Sequence, residues 1–506
     1  MSEQSELFFP EDCSVLNLKR AQNIAYTNIL YSILRGQNII TNRYKPSGEA
    51  ILTTYGRELK VNKYNFSGTK NYYKASTDLL KKASNKIDKK TIQQFISSFE
   101  NLYLNYLKST RIIQNQSLAI KHFEGALVAP ILIYMKLHTD ISQQITSNGK
   151  KTLSKYFKKD SEFSFLYSNK ILSFLEKINF ITDDALTEKG EYILSKAHAY
   201  GVTDSYMKTF THLEDLIFSH KGSSVLWNKD ENGDEYHVNR ALNVWGSGES
   251  HKNYFKKIDE YIIRIFNKPL EQQPKGIADM GCGDGTFLHH LNKVITENTL
   301  RGKNLKNYPL QLIGADFNQE ALNQTKLTFK NTKNKPITVL ANISNPDEYA
   351  KSLLDSGLDI SDFLNVRSFL DHNRTLNMVA DYKNSILQYE FKQLTTNSFA
   401  WKNESINSQV IQTDLVEHFI KWKPYISRHG LLILELHSID IEKIHKNIGR
   451  IPMTAYMATH GFSDQFIIEY DIYKECIEKS GLNINLDYEE TFPNKEIEMI
   501  SINLIN

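Results

Sequence analysis

Three glycines at alternate positions give the chain its clearest chemical signature. They lie in residues 279–286, DMGCGDGT, which follow a short apolar run and precede a helical pattern. Glycines in such a turn let the backbone approach a ligand closely. Two ligands compete for a loop of this kind: a dinucleotide, through GxGxxG, and S-adenosylmethionine, through D/E-x-G-x-G-x-G. Asp279 would repel a pyrophosphate but attract the cationic end of S-adenosylmethionine, so the loop predicts S-adenosylmethionine binding.

Residues at the ends of the next two predicted strands fit the same ligand. Asp316 ends the second strand, where an acid accepts hydrogen bonds from both ribose hydroxyls. Asn342 and Ile343 follow the third strand, where a polar residue receives the adenine amino group and an apolar residue packs the ring. Ser247 and Gly248 come just before the core, where a helix closes over the cofactor. The predicted cofactor contacts are Ser247, Gly248, Asp279, Gly281, Gly283, Asp316, Phe317, Asn342 and Ile343.

Three further residues are candidates for catalysis. His372 follows the fourth predicted strand, where O-methyltransferases of similar build place a catalytic base, although a structural loop histidine fits the pattern equally well. Arg367 lies within an apolar strand and needs a buried partner, for which a substrate carboxylate is one candidate. Tyr456 is placed to face the substrate in one interpretation and belongs to a core in the other.

The elements that must position these residues alternate between strand and helix from about Lys257 onward. Continuous apolar strands of this kind form a parallel sheet covered on both faces, with ligands at the carboxyl ends of the strands. The sequence therefore predicts an α/β fold with a class I, Rossmann-like core. The predicted strands are 276–280, 310–315, 337–340, 363–370, 431–436, 466–470 and 497–504.

A helix, a short hairpin and a second helix within residues 166–190 outline a winged helix, with the turn at Asp183 and Asp184. A structural or dimerisation module is favoured over DNA binding, because the net charge is close to zero. We predict three domains: an unassigned N-terminal helical or lid region over 1–113, a winged-helix-like helical domain over 114–235, and the core over 236–506.

Composition excludes several classes of protein. The 506 residues carry 61 Lys and Arg against 58 Asp and Glu, a net charge of +3, and the mean hydropathy is -0.43. These values are typical of a folded globular protein and provide no basic field for nucleic acid. The three cysteines are too few and too scattered for a disulfide framework or a zinc cluster. Since the N-terminus also lacks a signal-peptide pattern, we expect a cytoplasmic protein with no nucleic-acid and no membrane partner.

Several stretches resemble the metal-dependent C-methyltransferase domains of polyketide loading modules, such as those of the apratoxin and saxitoxin pathways. The similarity covers roughly residues 115–506 and is densest after residue 236. The stretches are YHVNRALNVWGSGESHKNYF at 236–255, ADMGCGDGTFL at 278–288, GADFN at 314–318, NVRSFLDHNR at 365–374, LELHS at 434–438 and ATHGFSDQFIIE at 458–469.

The resemblance implies methylation of the α-carbon of a malonyl group carried as a thioester, beside a mononuclear iron or manganese centre. It makes His437 and Gln465 the metal ligands, a sparse set that leaves positions open for a bidentate substrate. Glu435 and His437 alternate by two on the fifth predicted strand and therefore share a face. From the residues alone, a strand-capping His437 and a loop-packing Gln465 fit the pattern better.

Together these features predict an S-adenosylmethionine-dependent methyltransferase whose substrate is carried by an acyl carrier protein or by coenzyme A. We expect that carrier to act in trans, because the domains that follow in loading modules are absent from the 506 residues. The helical domain is a candidate homodimer surface. Two alternatives remain: a metal-independent O- or N-methyltransferase for a small molecule, and a winged-helix binding protein that senses S-adenosylmethionine.

Overall fold

A computed structural model describes most of the chain and divides it into two compact units. The first unit draws on Met1–His251, Lys402–Glu404 and Asn447–Ser463, and the second on Lys252–Trp401, Ser405–Lys446 and Asp464–Asn506. The described residues are 15–16, 21–44, 50–61, 68–81, 87–112, 117–138, 168–183, 185–219, 224–227, 236–376 and 389–506.

The first unit is mainly helical, and one of its helices, Met453–Gly461, comes from late in the chain. That helix lies so close to helix Ile24–Gly36 that a Cβ on Gly461 would come 2.7 Å from Ile29. The strands are β1 (Val15–Leu16), β2 (Ile40–Tyr44), β3 (Ala50–Leu52), β4 (Ile181–Thr182) and β5 (Ala185–Leu186). The other helices are Thr54–Val61, Thr69–Lys81, Lys89–Ile112, Leu118–His138, Asn169–Lys177, Glu188–Ser195, Ala197–Asp204, Met207–Thr211, Leu213–Phe218 and Ser224–Trp227, while Arg240–Ile265 runs from the first unit into the second.

The predicted helix, hairpin and helix of a winged helix are confirmed within this unit. Strands β4 and β5 pair antiparallel between helices Asn169–Lys177 and Glu188–Ser195. Thr187 caps the second helix by accepting a hydrogen bond from the backbone N–H of Gly190. Gly190 is required there, because a Cβ would lie 2.0 Å from the carbonyl oxygen of Phe180. The β4–β5 hairpin therefore packs directly against the helix that follows it.

The second unit is built on a seven-stranded sheet with the order β13-β14-β12-β9-β6-β7-β8. Five neighbouring strands, β12 to β8 in that order, are parallel, and β14 pairs antiparallel with both β12 and β13. The strands are β6 (Gly276–Met280), β7 (Gln311–Asp316), β8 (Ile337–Leu340), β9 (Leu364–Ser368), β12 (Leu431–Leu436), β13 (Glu490–Asn494) and β14 (Ile497–Ile505), with a separate pair β10 (Phe399–Trp401) and β11 (Glu404–Ile406).

Helices cover this sheet and bury its central strands. The helices are Thr286–Asn298, Leu300–Lys303, Gln319–Thr328, Pro346–Leu354, Ser408–Ile426, Ile441–Lys446 and Tyr470–Lys479. Short 3-10 turns occur at Leu270–Gln272, Ile360–Asp362, Asp371–Asn373 and Leu486–Tyr488. Every residue of β6 and of β12 is buried. Full burial explains why these two strands read as continuous apolar runs, as expected for parallel strands covered on both faces.

One predicted strand is wrong. In the segment 466–470, only Glu469 forms an isolated parallel bridge, to Ser438, and Tyr470 already begins helix Tyr470–Lys479. The segment is extended and apolar because it runs across the end of β12, and those properties alone resemble a strand. The strand that the sequence missed, β13, pairs with β14 at the edge of the sheet and has the polar sequence ETFPN, which gave no strand pattern.

No helix in the described ranges is both long enough and apolar enough to cross a membrane.

Candidate active site

The glycine loop lies between β6 and helix Thr286–Asn298, and its three glycines have different roles. Gly281, Gly283 and Gly285 all have positive φ, at 78°, 55° and 77°. A Cβ would come 2.7 Å from Leu370 at Gly281 and 2.9 Å from Thr325 at Gly285, but would meet nothing within 4 Å at Gly283. The outer two glycines therefore serve packing, while the backbone of Gly283 faces open space that a ligand can enter.

Backbone hydrogen bonds hold the loop against β7. The carbonyl oxygen of Ala315 accepts from the N–H groups of Gly281 and Cys282, at 2.8 and 3.0 Å. The Thr325 hydroxyl donates to the carbonyl oxygen of Gly283 at 2.8 Å. These contacts hold the backbone of the loop in place beside β7.

Two carboxylates line the loop. Asp279 is 2% exposed, and burial, with the nearby Asp316 carboxylate, raises its pKa to about 8. The Asp316 carboxylate accepts from the N–H groups of Gly283 and Asn318, at 3.0 and 2.9 Å. A positive ligand would relieve the repulsion between the two acids and favour ionised Asp279. The ammonium and sulfonium groups of S-adenosylmethionine supply that charge, so the residues fit this cofactor.

The remaining predicted cofactor contacts lie in different surroundings. Phe317 follows β7 and is 69% exposed. Asn342 is exposed and accepts from the N–H of Ser344 through its side-chain oxygen, whereas Ile343 is buried beside Trp422, whose indole N–H donates to the Ile343 carbonyl. Ser247 and Gly248 lie on helix Arg240–Ile265, in the part that belongs to the first unit, and their contact with the cofactor stays a prediction.

His372 lies in the 3-10 turn after β9 and pairs with Glu435 on β12. The distance from its Nδ1 to Glu435 Oε1 is 2.5 Å, and both side chains are buried. Glu435 also accepts from the backbone N–H of Asp371 through Oε2, at 2.7 Å. A carboxylate at Nδ1 orients the imidazole ring and favours the tautomer with its proton on that nitrogen, the arrangement found for general bases. Glu435 was not predicted to have this role, although an acid within the apolar strand LLILEL signals a buried partner.

Arg367 finds its buried partner within the chain. Its Nε lies 2.8 Å from Asp371 Oδ1, and its Nη2 donates to Asp371 Oδ2 at 3.0 Å. Burial disfavours ionised Asp371, but Arg367, followed by His418, holds its pKa below the usual range. Asp371 is therefore the buried partner that Arg367 was predicted to need. The sequence alone did not single out Asp371 for this role.

The two residues predicted to bind a metal are both buried. The His437 side chain is 0% exposed, its Nε2 lies 2.7 Å from Ser501 Oγ, and its ring centroid is 4.9 Å from those of Tyr470 and Tyr473. Burial, with a contribution from His372, lowers its pKa to about 3. Gln465 begins the segment in which the N–H of Phe466 donates to the His372 carbonyl at 2.7 Å.

The surroundings of His437 leave one ring nitrogen for a ligand. Its Nε2 lies at hydrogen-bond distance from Ser501, whereas its Nδ1 is buried with no hydrogen-bond partner among the described residues. Across those residues no three His, Cys, Asp or Glu side chains are grouped to hold an ion, but the predicted set of one His and one Gln does not require such a group. We derive no chemical step through a metal, and the roles given to His437 and Gln465 stay predictions.

Tyr456, the third predicted catalytic residue, lies on helix Met453–Gly461 in the first unit. It is half-buried, its carbonyl oxygen is 2.7 Å from His460 Nδ1, and burial raises the pKa of its hydroxyl. Its catalytic role stays a prediction.

Two family models match the chain. Residues 235–503 match the model of the AprA MT2-like methyltransferase domain, and residues 124–220 match that of the AprA winged helix domain. No curated protein matches the chain.

Three solved structures with low sequence identity align over most of the chain. Mitomycin 7-O-methyltransferase MmcR is 9% identical with a TM-score of 0.43, over 79% of this chain and 99% of that one. An O-methyltransferase family protein from Burkholderia thailandensis is 10% identical with a TM-score of 0.39, over 77% and 96%. The CurJ carbon methyltransferase is 8% identical with a TM-score of 0.33, over 86% and 98%. Because the methyltransferase model matches more than half of it, the chain belongs to the AprA MT2-like family and is a class I S-adenosylmethionine-dependent methyltransferase with a winged helix domain.

Proposed function

We propose that the enzyme methylates the α-carbon of a malonyl-type acyl thioester in polyketide or related natural-product biosynthesis. The observation that carries the proposal is the buried His372–Glu435 pair at the carboxyl end of the sheet, on the edge that also holds the glycine loop. The α-carbon of a malonyl thioester is acidic, because two carbonyl groups stabilise the carbanion. A positioned imidazole is a suitable base for such a proton.

Cofactor binding and proton removal are assigned to two different groups of residues. Asp279 and Asp316 bind the cofactor, with the Gly283 backbone at its side. His372 Nε2 accepts the α-proton, and Glu435 stabilises the imidazolium that forms, because its carboxylate lies at Nδ1. Bound S-adenosylmethionine supplies an electrophilic methyl group, so the carbon's electron pair forms the new C–C bond while sulfur keeps the pair of the broken S–C bond.

We further propose that the thioester is presented by an acyl carrier protein or by coenzyme A as a separate molecule. The test is mass spectrometry of malonyl-carrier, methylmalonyl-carrier and malonyl-coenzyme A after incubation with enzyme and S-adenosylmethionine. The proposal expects one added methyl group that survives alkaline hydrolysis as methylmalonic acid from the malonyl substrates. If hydrolysis returns malonic acid, the methyl group was on oxygen and the O-methyltransferase alternative takes its place.

The predicted iron or manganese centre needs its own test, because the proposed steps do not use it. Metal content is measured for the purified enzyme and for His437→Ala and Gln465→Ala. A stoichiometric metal that is lost in both variants would support the predicted centre and add a Lewis acid to the reaction. Equally low content in all three proteins would remove the centre from the proposal.

A further inference from the structure

A second cluster of buried polar groups lies directly behind the His372–Glu435 pair, centred on Asp371. Asp371 precedes His372 in the 3-10 turn, and its backbone N–H donates to Glu435 Oε2 at 2.7 Å. His372 meets the other oxygen, Oε1, at 2.5 Å. The Glu435 carboxylate is thus held at both oxygens by two consecutive residues, so any movement of Asp371 is transmitted to the base.

Three elements hold the Asp371 side chain in place. Arg367 on β9 contacts both of its oxygens, at 2.8 and 3.0 Å. The Tyr473 hydroxyl, from helix Tyr470–Lys479, donates to Oδ2 at 2.5 Å. His418, from helix Ser408–Ile426, places Nε2 3.5 Å from Oδ1. Hydrogen bonds from two packed elements to one carboxylate, with the His418 ring against its other oxygen, leave the turn little freedom.

The side chains that contact Asp371 are packed within the protein. Arg367, Tyr473 and His418 are at most 4% exposed. The Arg367 guanidinium also lies over the rings of Phe419 and Trp422, with its Cζ at 5.7 and 5.5 Å from the centroids. The polar contacts of these side chains are therefore made with the 3-10 turn that carries His372.

We infer that Arg367 and Tyr473 are positioning residues for methyl transfer, which act by fixing Asp371 so that its backbone holds Glu435 and His372 in the reactive orientation. The inference rests on the proposed function, in which His372 is the base. It gives Arg367 a role through Asp371 in place of direct contact with a substrate carboxylate. Positioning of this kind has a large effect on rate, since a displacement of about 1 Å can cost roughly 100-fold.

The first test observes the hydrogen bond itself and needs no substrate. In enzyme labelled with 15N-histidine, the Nδ1 proton of His372 is assigned by its disappearance in His372→Gln. Tyr473→Phe removes one hydroxyl and keeps the ring, so it leaves the packing intact, and we expect the His372 resonance to shift or broaden. Tyr261→Phe, at a tyrosine that is 2% exposed and outside the cluster, is the matched control and should leave the resonance unchanged. An unchanged resonance in Tyr473→Phe would overturn the inference.

The second test separates positioning from a general loss of structure. We expect Tyr473→Phe to lower kcat about 10-fold while KM and the Kd of S-adenosylmethionine stay unchanged. In a His372→Gln background the same substitution should have no further effect on kcat, because the residue it positions is gone. Multiplicative losses would mean a structural role and contradict the inference. If the wild-type enzyme methylates no thioester, the proposed function fails, but the resonance of His372 still decides the inference.

Discussion

At the scale of single residues, Glu435 and His372 are expected to determine the rate of methyl transfer. Glu435→Gln keeps the size of the side chain but removes the charge that stabilises imidazolium and sets the tautomer of His372. We expect kcat to fall by about 100- to 10,000-fold, the range typical of general base catalysis. Single-turnover assays with bound S-adenosylmethionine measure this step directly.

The control for that substitution is Glu297→Gln, at an exposed position on helix Thr286–Asn298. It should retain the wild-type rate. Both proteins should bind S-adenosylmethionine with the wild-type Kd. A Glu435→Gln enzyme with nearly full activity would show that the pair is structural and not catalytic.

Asp279 is expected to link stability to pH. Burial, with Asp316, raises its pKa from 3.8 to about 8 in the folded, ligand-free protein. Between those values the folded state binds the proton and the unfolded state does not, so this residue's contribution to the free energy of unfolding falls as pH rises from about 4 to about 8. Over the same interval S-adenosylmethionine should bind more tightly with rising pH, because its cationic groups attract the ionised carboxylate.

Denaturant titrations at about pH 5 and about pH 9 test this linkage. In Asp279→Asn the difference in unfolding free energy between the two pH values should shrink relative to the wild type. Asp355→Asn, at an exposed position, should leave the difference unchanged. Equal pH dependence in the wild type and Asp279→Asn would rule out the raised pKa.

At the scale of elements, alanine variants of two glycines distinguish the effect of backbone strain from the effect of blocking a ligand. Gly283 and Gly357 both have positive φ, at 55° and 76°, and a Cβ at either meets nothing within 4 Å. Each alanine variant should therefore lose about 1 kcal/mol of stability from backbone strain. Only Gly283→Ala should also weaken S-adenosylmethionine binding, which calorimetric titration measures. Equal affinities in the two variants would place the cofactor elsewhere.

Strands β6, β8 and β12 were predicted to the residue. For β6 and β12 the reason is burial on both faces, which makes a parallel strand largely apolar along its length. Strand β8 lies at the edge of the sheet and is partly exposed, but its sequence ITVL is rich in β-branched residues. Strand β13 was missed because it contains Pro493 and polar residues, which an edge strand tolerates. The segment 466–470 was mistaken for a strand because an extended apolar chain need not find a pairing partner.

At the scale of the whole molecule, some site residues are recognisable from their neighbours in sequence, whereas others are defined by contacts between residues far apart in the chain. The glycine loop and Asp316 follow from local pattern, because each lies at the end of its own strand. The Glu435 role depends on the approach of His372, which is 63 residues away, and Tyr473 reaches Asp371 across 102 residues. No local spacing encodes these contacts; they form only when β9 and β12 become neighbours in the sheet.

The most direct measurement of the central claim is exchange of the α-hydrogen. A malonyl thioester deuterated at its α-carbon is incubated with enzyme and S-adenosylhomocysteine, which fills the cofactor site but has no methyl group to transfer. We predict that the wild-type enzyme accelerates the loss of deuterium, followed by mass spectrometry, and that His372→Gln leaves it at the rate in buffer. Equal acceleration by both proteins, or none by an enzyme that still methylates the thioester, would contradict the assignment of His372 as the base.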